Sequence, residues 1–276
     1  MLLHKVLPVT IHKIIDGKII EVQDQVAIEE PLEIIIDYST ATGRMQKNIS
    51  VTMRTPGNEA ELAAGFLFTE GIIRSDKAID EIKFLAFDDN KIVVTLKENI
   101  VPVLNNAARN FYTTSSCGIC GKASIEAITV AAIFPGTIDT ISVQAAVLHS
   151  LSDLVKDEQK MFQHTGGIHA AALFNLKGNL LMVREDVGRH NALDKIIGAA
   201  LLKNELPLHE SILFLSGRAS FELIQKAFMA GIKIVVAVGA PSSLAIEMAV
   251  ESGITLIGFL KQNSLNIYTA KERILQ

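Results

Sequence analysis

Ser211-Ile212-Leu213-Phe214-Leu215-Ser216-Gly217-Arg218-Ala219-Ser220-Phe221-Glu222-Leu223-Ile224 sets a short apolar run against a Ser-Gly-Arg turn and then opens a second apolar stretch. A strand that empties into a glycine turn and a helix start is the building unit of a sheet flanked by helices. Outward from this stretch the unit recurs. The spacing predicts helices at Asn191–Lys203, Phe221–Ala230 and Ser243–Ser252, and strands at Ser211–Leu215, Lys233–Val238 and Thr255–Leu260. Such alternation predicts a central sheet with ligands at the carboxyl ends of its parallel strands.

Upstream the pattern changes. Leu32–Tyr38 and Gln46–Arg54 read as strands joined by a turn at Ser39-Thr40-Ala41-Thr42-Gly43. Thr55-Pro56-Gly57-Asn58 leads into a short helix over Glu59–Phe68, with Asn58 as cap and acids in its first turn. Ile82–Phe87 and Lys91–Leu96 flank Asp88-Asp89-Asn90 as a hairpin. Val143–Lys156 has helical spacing, and Ala170–Asn175 and Leu180–Arg184 read as strands around Lys177-Gly178-Asn179. The expected fold class is therefore α+β with α/β. It has a small β-rich N-terminal domain over 1–112, a mobile CxxC loop over 113–122 and an α/β domain over 123–276, without internal repeats.

A chain of 276 residues with 49% hydrophobic residues can bury a substantial core. Its formal charge of −4 and pI near 6.0 supply no general attraction to nucleic acid or to an anionic membrane. Mean hydropathy is +0.33, yet no run reaches the roughly 18 to 20 apolar residues of a spanning helix. The start, Met-Leu-Leu-His-Lys-Val-Leu-Pro, lacks the features of a signal peptide, so a cytoplasmic location is expected.

Both cysteines of the chain lie in Thr113-Thr114-Ser115-Ser116-Cys117-Gly118-Ile119-Cys120-Gly121-Lys122. Two thiols three positions apart can work on one transferred atom or close into a disulfide. Lys122, and a helix over Ala123–Ala132, would favour the reactive thiolate. A zinc site would need His164 and His169 to complete the pair, and a thioredoxin-like redox pair remains a second alternative. Zinc deaminase chemistry is not expected, because no His-x-Glu lies upstream and Ser116 precedes the first cysteine.

Three further clusters suit ligands. His164-Thr165-Gly166-Gly167-Ile168-His169 joins two histidines to a glycine pair, although a turn with a structural histidine fits it too. In Arg184-Glu185-Asp186-Val187-Gly188-Arg189-His190-Asn191, Arg189 could hold a phosphate, Asp186 could accept from a guanine or pterin N–H pair, and Asn191 could cap a helix. A surface salt-bridge cluster is the alternative there. Ser216-Gly217-Arg218 and Val238-Gly239-Ala240-Pro241-Ser242-Ser243 place glycine and hydroxyls at helix starts, an anion-binding arrangement, with Ser242 or Ser243 as a plain cap in the second.

Thr55-Pro56-Gly57-Asn58, Gly65-Phe66-Leu67-Phe68-Thr69-Glu70-Gly71, the Cys-Gly-x-Cys-Gly loop, His164-Thr165-Gly166-Gly167-x-His169, Glu185 through Lys195, Ser216-Gly217-Arg218 and Gly258-Phe259 stand in a fixed order. In that order they resemble the FdhD formate dehydrogenase accessory proteins over nearly the whole chain. The resemblance implies a sulfurtransferase with a fold similar to the cytidine deaminase core. It would take persulfide sulfur from a cysteine desulfurase and pass it to the bis-molybdopterin guanine dinucleotide form of the molybdenum cofactor, as bound acceptor, for formate dehydrogenase. It implies Cys117 as persulfide carrier, Cys120 as its partner, no zinc, and a homodimer. The family's cofactor segment maps onto Phe259-Leu260-Lys261-Gln262-Asn263-Ser264, with Arg189, Arg218, Asp186, His164 and His169 around the same ligand. This chain departs from the family at Asn263-Ser264, where a Gly-Arg pair is common, and Lys261 would replace the lost fork by a point charge. A cofactor chaperone that carries no sulfur, and a zinc-stabilised binding module, are the competing functions.

Overall fold

The computed structural model describes residues 5–104, 111–112, 134 and 141–276. The cysteine loop, with Cys117 and Cys120, and the expected helix over Ala123–Ala132 lie outside the described residues.

The C-terminal strands build a six-stranded sheet in the order β10-β9-β11-β12-β13-β14. They are β9 (His169–Asn175), β10 (Leu180–Asp186), β11 (Ser211–Leu215), β12 (Ile234–Ala237), β13 (Thr255–Lys261) and β14 (Ser264–Ile267). The three strands β11, β12 and β13 run parallel, while β9 is antiparallel to β10 and β11, and β14 to β13. Strand alternation sends Leu213 and Leu215 into one apolar layer and Ile212 and Phe214 into the other. Helix α2 (Ala145–Glu158) covers the second layer through Leu148, Leu151 and Val155. Helices α4 (Arg189–Leu202), α5 (Phe221–Met229) and α6 (Ser243–Glu251) supply the first.

That first layer continues into the N-terminal part. A five-stranded sheet, ordered β5-β6-β3-β4-β7, comprises β3 (Glu30–Thr40), β4 (Gly43–Arg54), β5 (Ile79–Leu85), β6 (Asp88–Leu96) and β7 (Phe111–Tyr112). Leu32, Ile34 and Ile36 of β3 and Ile92, Val94 and Leu96 of β6 join one core with helix α1 (Glu59–Thr69) and with α4. Among the helices α1 and α4 cross at glycine. A Cβ on Gly65 would lie 1.9 Å from the Asp194 carbonyl oxygen, and one on Gly198 would lie 1.8 Å from that of Glu61. Only two bare backbones can approach so closely.

Several boundaries differ from the sequence reading. The β5–β6 turn is at Ala86-Phe87, with Phe87 left-handed at φ 63°, so Asp88-Asp89-Asn90 begin a strand rather than forming the turn. Asn58 occupies the N-cap of α1, but its φ of 65° turns the side chain away from capping; the Glu59 carboxylate accepts the Gly57 N–H at 2.5 Å instead. Helix α4 starts one turn-half earlier than Asn191, at Arg189 behind Gly188. Phe162-Gln163-His164-Thr165 belongs to a short helix, α3 (Lys160–Thr165), closed by left-handed Gly166 at φ 64°. Two strands went unread: β1 (Val6–Ile15) and β2 (Lys18–Ala27) pair in full register into a ribbon separate from both sheets. Val143 and Gln144, expected in helix, form β8 (Val143–Gln144) against β15 (Ile274–Leu275).

Candidate ligand site at the strand ends

The carboxyl ends of β11, β12 and β13 meet in a row of glycines. The Gly239 N–H donates to the Gly217 carbonyl at 3.0 Å, and the Phe259 N–H donates to the Gly239 carbonyl at 3.2 Å. The turn after β11 is fixed to β9: the Ser216 N–H donates to the Ala170 carbonyl at 3.0 Å, and the Ala170 N–H to Ser216 Oγ at 2.8 Å. A Cβ on Gly239 would stand 2.9 Å from the Arg218 nitrogen, and one on Gly258 2.9 Å from Pro241 Cδ. Glycine is therefore required for the segments to stack. Gly239→Ala is expected to push the Arg218 turn outward and to cost about 1 to 3 kcal/mol, read by urea denaturation.

Along this row the sequence-selected residues are brought together unevenly. Arg218 is exposed after β11, and Phe259 is 41% exposed with a left-handed φ of 53°. A non-glycine residue held there is strained backbone, of the kind retained where a ligand site needs it. Ser242 Oγ accepts from the Ala245 N–H at 3.2 Å and so caps α6. His169 opens β9 beside the Ser216-Gly217 turn, where a Cβ on Gly217 would lie 3.4 Å from its Nδ1. Burial, then Arg189 and His190, lower the His169 pKa, with Asp186 opposing them. Arg189 opens α4, and its Nε is buried without a hydrogen-bond partner among the described residues.

Asp186 has a different role from the ring acceptor read in the sequence. Its carboxylate is fully buried and meets Lys195 Nζ at 2.7 Å, the Thr55 N–H at 3.2 Å, the Gly188 N–H at 2.8 Å and Asn191 Nδ2 at 3.1 Å. Four protein donors occupy it, so it anchors the β10–α4 turn. Asn191, expected as a cap, lies inside α4 and also donates to the Met53 carbonyl at 2.8 Å. Thr55 clamps the same turn, because its Oγ1 accepts the Val187 N–H at 3.1 Å and its carbonyl accepts from Lys195 Nζ at 3.0 Å. Sequence reasoning missed Lys195, His190 and Glu222 here. A lysine inside the apolar pattern of α4 was the available signal for the first.

The segment from Phe259 to Ser264 runs through the β13–β14 hairpin. Leu260 is a core residue whose side chain packs with the α2 layer. Lys261, Gln262, Asn263 and Ser264 are exposed. The Lys261 carbonyl lies 3.1 Å from His149 Nδ1, and Gln262 Nε2 donates to Asp153 Oδ2 at 3.1 Å, tying the turn to α2. His164 sits on the exposed last turn of α3. At the start of α5, His190 Nε2 lies 3.4 Å from Ser220 Oγ and 3.8 Å from Glu222. Burial opposes the Glu222 charge, yet hydrogen bonds from His190, its own N–H and Ser220 bring its pKa down to about 2. Among the described residues no group of three or more histidines, cysteines or acids could hold a metal ion, and no helix is long and apolar enough to cross a membrane.

This is an α/β protein with a glycine-lined, arginine-bearing rim at the ends of parallel strands, the kind of edge that receives phosphorylated ligands. The chain belongs to the FdhD/NarQ family, whose model matches residues 27–275. It is similar to the sulfur carrier protein FdhD of Mycolicibacterium paratuberculosis, at 48% identity over 265 residues covering 94% of each chain. It is 46% identical to that of Picrophilus torridus over 255 residues, 92% of this chain and 93% of the relative. A crystal structure from Desulfotalea psychrophila, assigned as a formate dehydrogenase accessory protein, superposes with a TM-score of 0.76 at 26% identity, covering 98% of this chain and 100% of the other.

Proposed function

We propose that this chain is a sulfur carrier that loads persulfide sulfur on Cys117 and delivers it to the molybdenum cofactor, as bis-molybdopterin guanine dinucleotide, on its way to formate dehydrogenase. The observation that carries the reading is the Gly217–Gly239–Phe259 row with Arg218 and Arg189 beside it, in a chain whose relatives are named sulfur carriers. Guanidinium groups and helix-start N–H groups suit the phosphates of a dinucleotide acceptor. Exposed Phe259 offers a face for a flat ring.

Loading is thiol exchange. The Cys117 thiolate attacks the terminal sulfur of a cysteine desulfurase persulfide; that S–S bond breaks, a new one forms, and the desulfurase cysteine leaves as thiolate. For release, the Cys120 thiolate attacks Cys117 Sγ. Sulfide departs to the cofactor, and the resulting disulfide is reset by a dithiol reductant. In this reading the protein works in the cytoplasm as a homodimer, apart from nucleic acid and membrane. Its 1–112 portion and its 123–276 portion, the second of cytidine deaminase type, precede and follow the cysteine motif in the sequence.

The test is intact mass after incubation with an active cysteine desulfurase and cysteine, before and after reductant. Wild type is expected to gain reducible sulfur that Cys117→Ala does not. No gain in wild type would instead mark a cofactor chaperone that carries no sulfur.

A further inference from the structure

We propose that His169 takes up a proton when a phosphate-bearing ligand binds beside Arg189, so that the strand-end pocket holds its anion more tightly as pH falls. This rests on the reading of the strand ends as a dinucleotide site. The geometry begins with the His169 ring, which lies over Gly217 at the mouth of the glycine row and makes no hydrogen bond among the described residues. The charged groups around it are one-sided in what they leave free. From α4 come Arg189 and His190.

Two carboxylates could have balanced them. Asp186 stands opposite His169 in the β9–β10 ladder, but it is already matched by Lys195 at 2.7 Å and by three further donors. Glu222 on α5 is turned to His190 at 3.8 Å. Burial, and Arg189 beside it, thus hold the His169 pKa below the usual histidine value. Among the described residues Arg189 Nε, a buried donor, has no acceptor.

A phosphate seated there satisfies Arg189 and reverses the local sign. An adjacent anion favours imidazolium, which can then donate to the phosphate oxygen. By linkage, affinity must rise as pH falls through the interval between the free and the ligand-bound pKa of His169, and fall as pH rises.

The probe is GDP-mannose, whose pyrophosphate diester has no group that titrates near neutrality. Titration calorimetry of the full chain at pH 6 and pH 8 is expected to give about tenfold tighter binding at pH 6 for wild type. His169→Gln should bind with one affinity at both pH values. Should the glutamine variant fail to bind for want of folding, proton uptake by wild type, measured in two buffers of different ionisation enthalpy, decides: net uptake supports the proposal and zero uptake overturns it. Equal affinity of wild type at the two pH values, or an unchanged ratio in His169→Gln, removes the proton and leaves the dinucleotide reading standing. Absence of binding at both pH values overturns that reading and the proposal with it.

Discussion

Gly198→Ala is expected to destabilise the protein by about 3 kcal/mol or more in urea denaturation, the upper part of the range for overpacking. The reason is the position of the added methyl. It would lie 1.8 Å from the Glu61 carbonyl oxygen and 2.7 Å from the Gly65 nitrogen, both backbone atoms of a neighbouring helix. No rotamer change can relieve that contact, so α1 and α4 must separate. Both helices belong to the core that joins the two sheets, and separation would loosen Leu62, Ala63, Ile196 and Ile197 together. In an exposed helix the same substitution would stabilise by about 1 kcal/mol, because alanine is the better helix former. A stabilised variant would therefore show that the two backbones are not in contact.

Lys226→Met should be comparably damaging, at about 3 to 5 kcal/mol, because it strands a carboxylate. Lys226 Nζ lies 2.9 Å from both Asp194 oxygens, 2.8 Å from Thr69 Oγ1 and 3.5 Å from Glu70, and stands 5.5 Å from the centroid of the Phe66 ring. Burial opposes its charge, but Asp194 and Glu70 hold its pKa above the usual lysine value. Without the amine, Asp194 remains 1% exposed with Thr69 as its other hydrogen-bonding partner. The loss should shrink as pH falls, because a buried carboxylate with a raised pKa is relieved by protonation. Adding Asp194→Leu to Lys226→Met is expected to recover most of the loss, since an apolar pair of similar volume can replace a buried ion pair. A double variant no better than the single one would show that the cost lies in shape rather than in charge.

These two expectations depend on features that the sequence discloses very differently. Ser211–Leu215 was legible to the residue, because a short apolar run between polar turns is a local signal and the strand is buried on both faces. The β1–β2 ribbon was not. Among the described residues neither of its faces is backed by a sheet or a continuous core, and Ile14, Ile15, Ile19 and Ile20 stay exposed, so no alternation of inside and outside marked it. The β5–β6 turn was displaced by two residues because Asp88-Asp89-Asn90 has turn composition, whereas the chain bends at Phe87, a residue that ordinarily avoids positive φ.

For the site, glycine-rich strand ends and their arginines could be read from position, since helix-start chemistry is local. Partner choice could not. Asp186 looks the same in sequence whether it faces a ligand or Thr55, 131 residues away, and Leu260 looks the same whether it borders a ligand or fills the α2 layer.

The sequence by itself determined the family, the strand-to-helix alternation and the glycine turns that end β11 and β12, because periodicity and turn chemistry act over a few residues. Only the tertiary structure decided that Asp186 anchors the β10–α4 turn, that Lys226 neutralises Asp194, and that Gly65 and Gly198 are a helix crossing. Those outcomes depend on which distant backbones and charges packing brings within a few ångströms, and no local pattern encodes that distance.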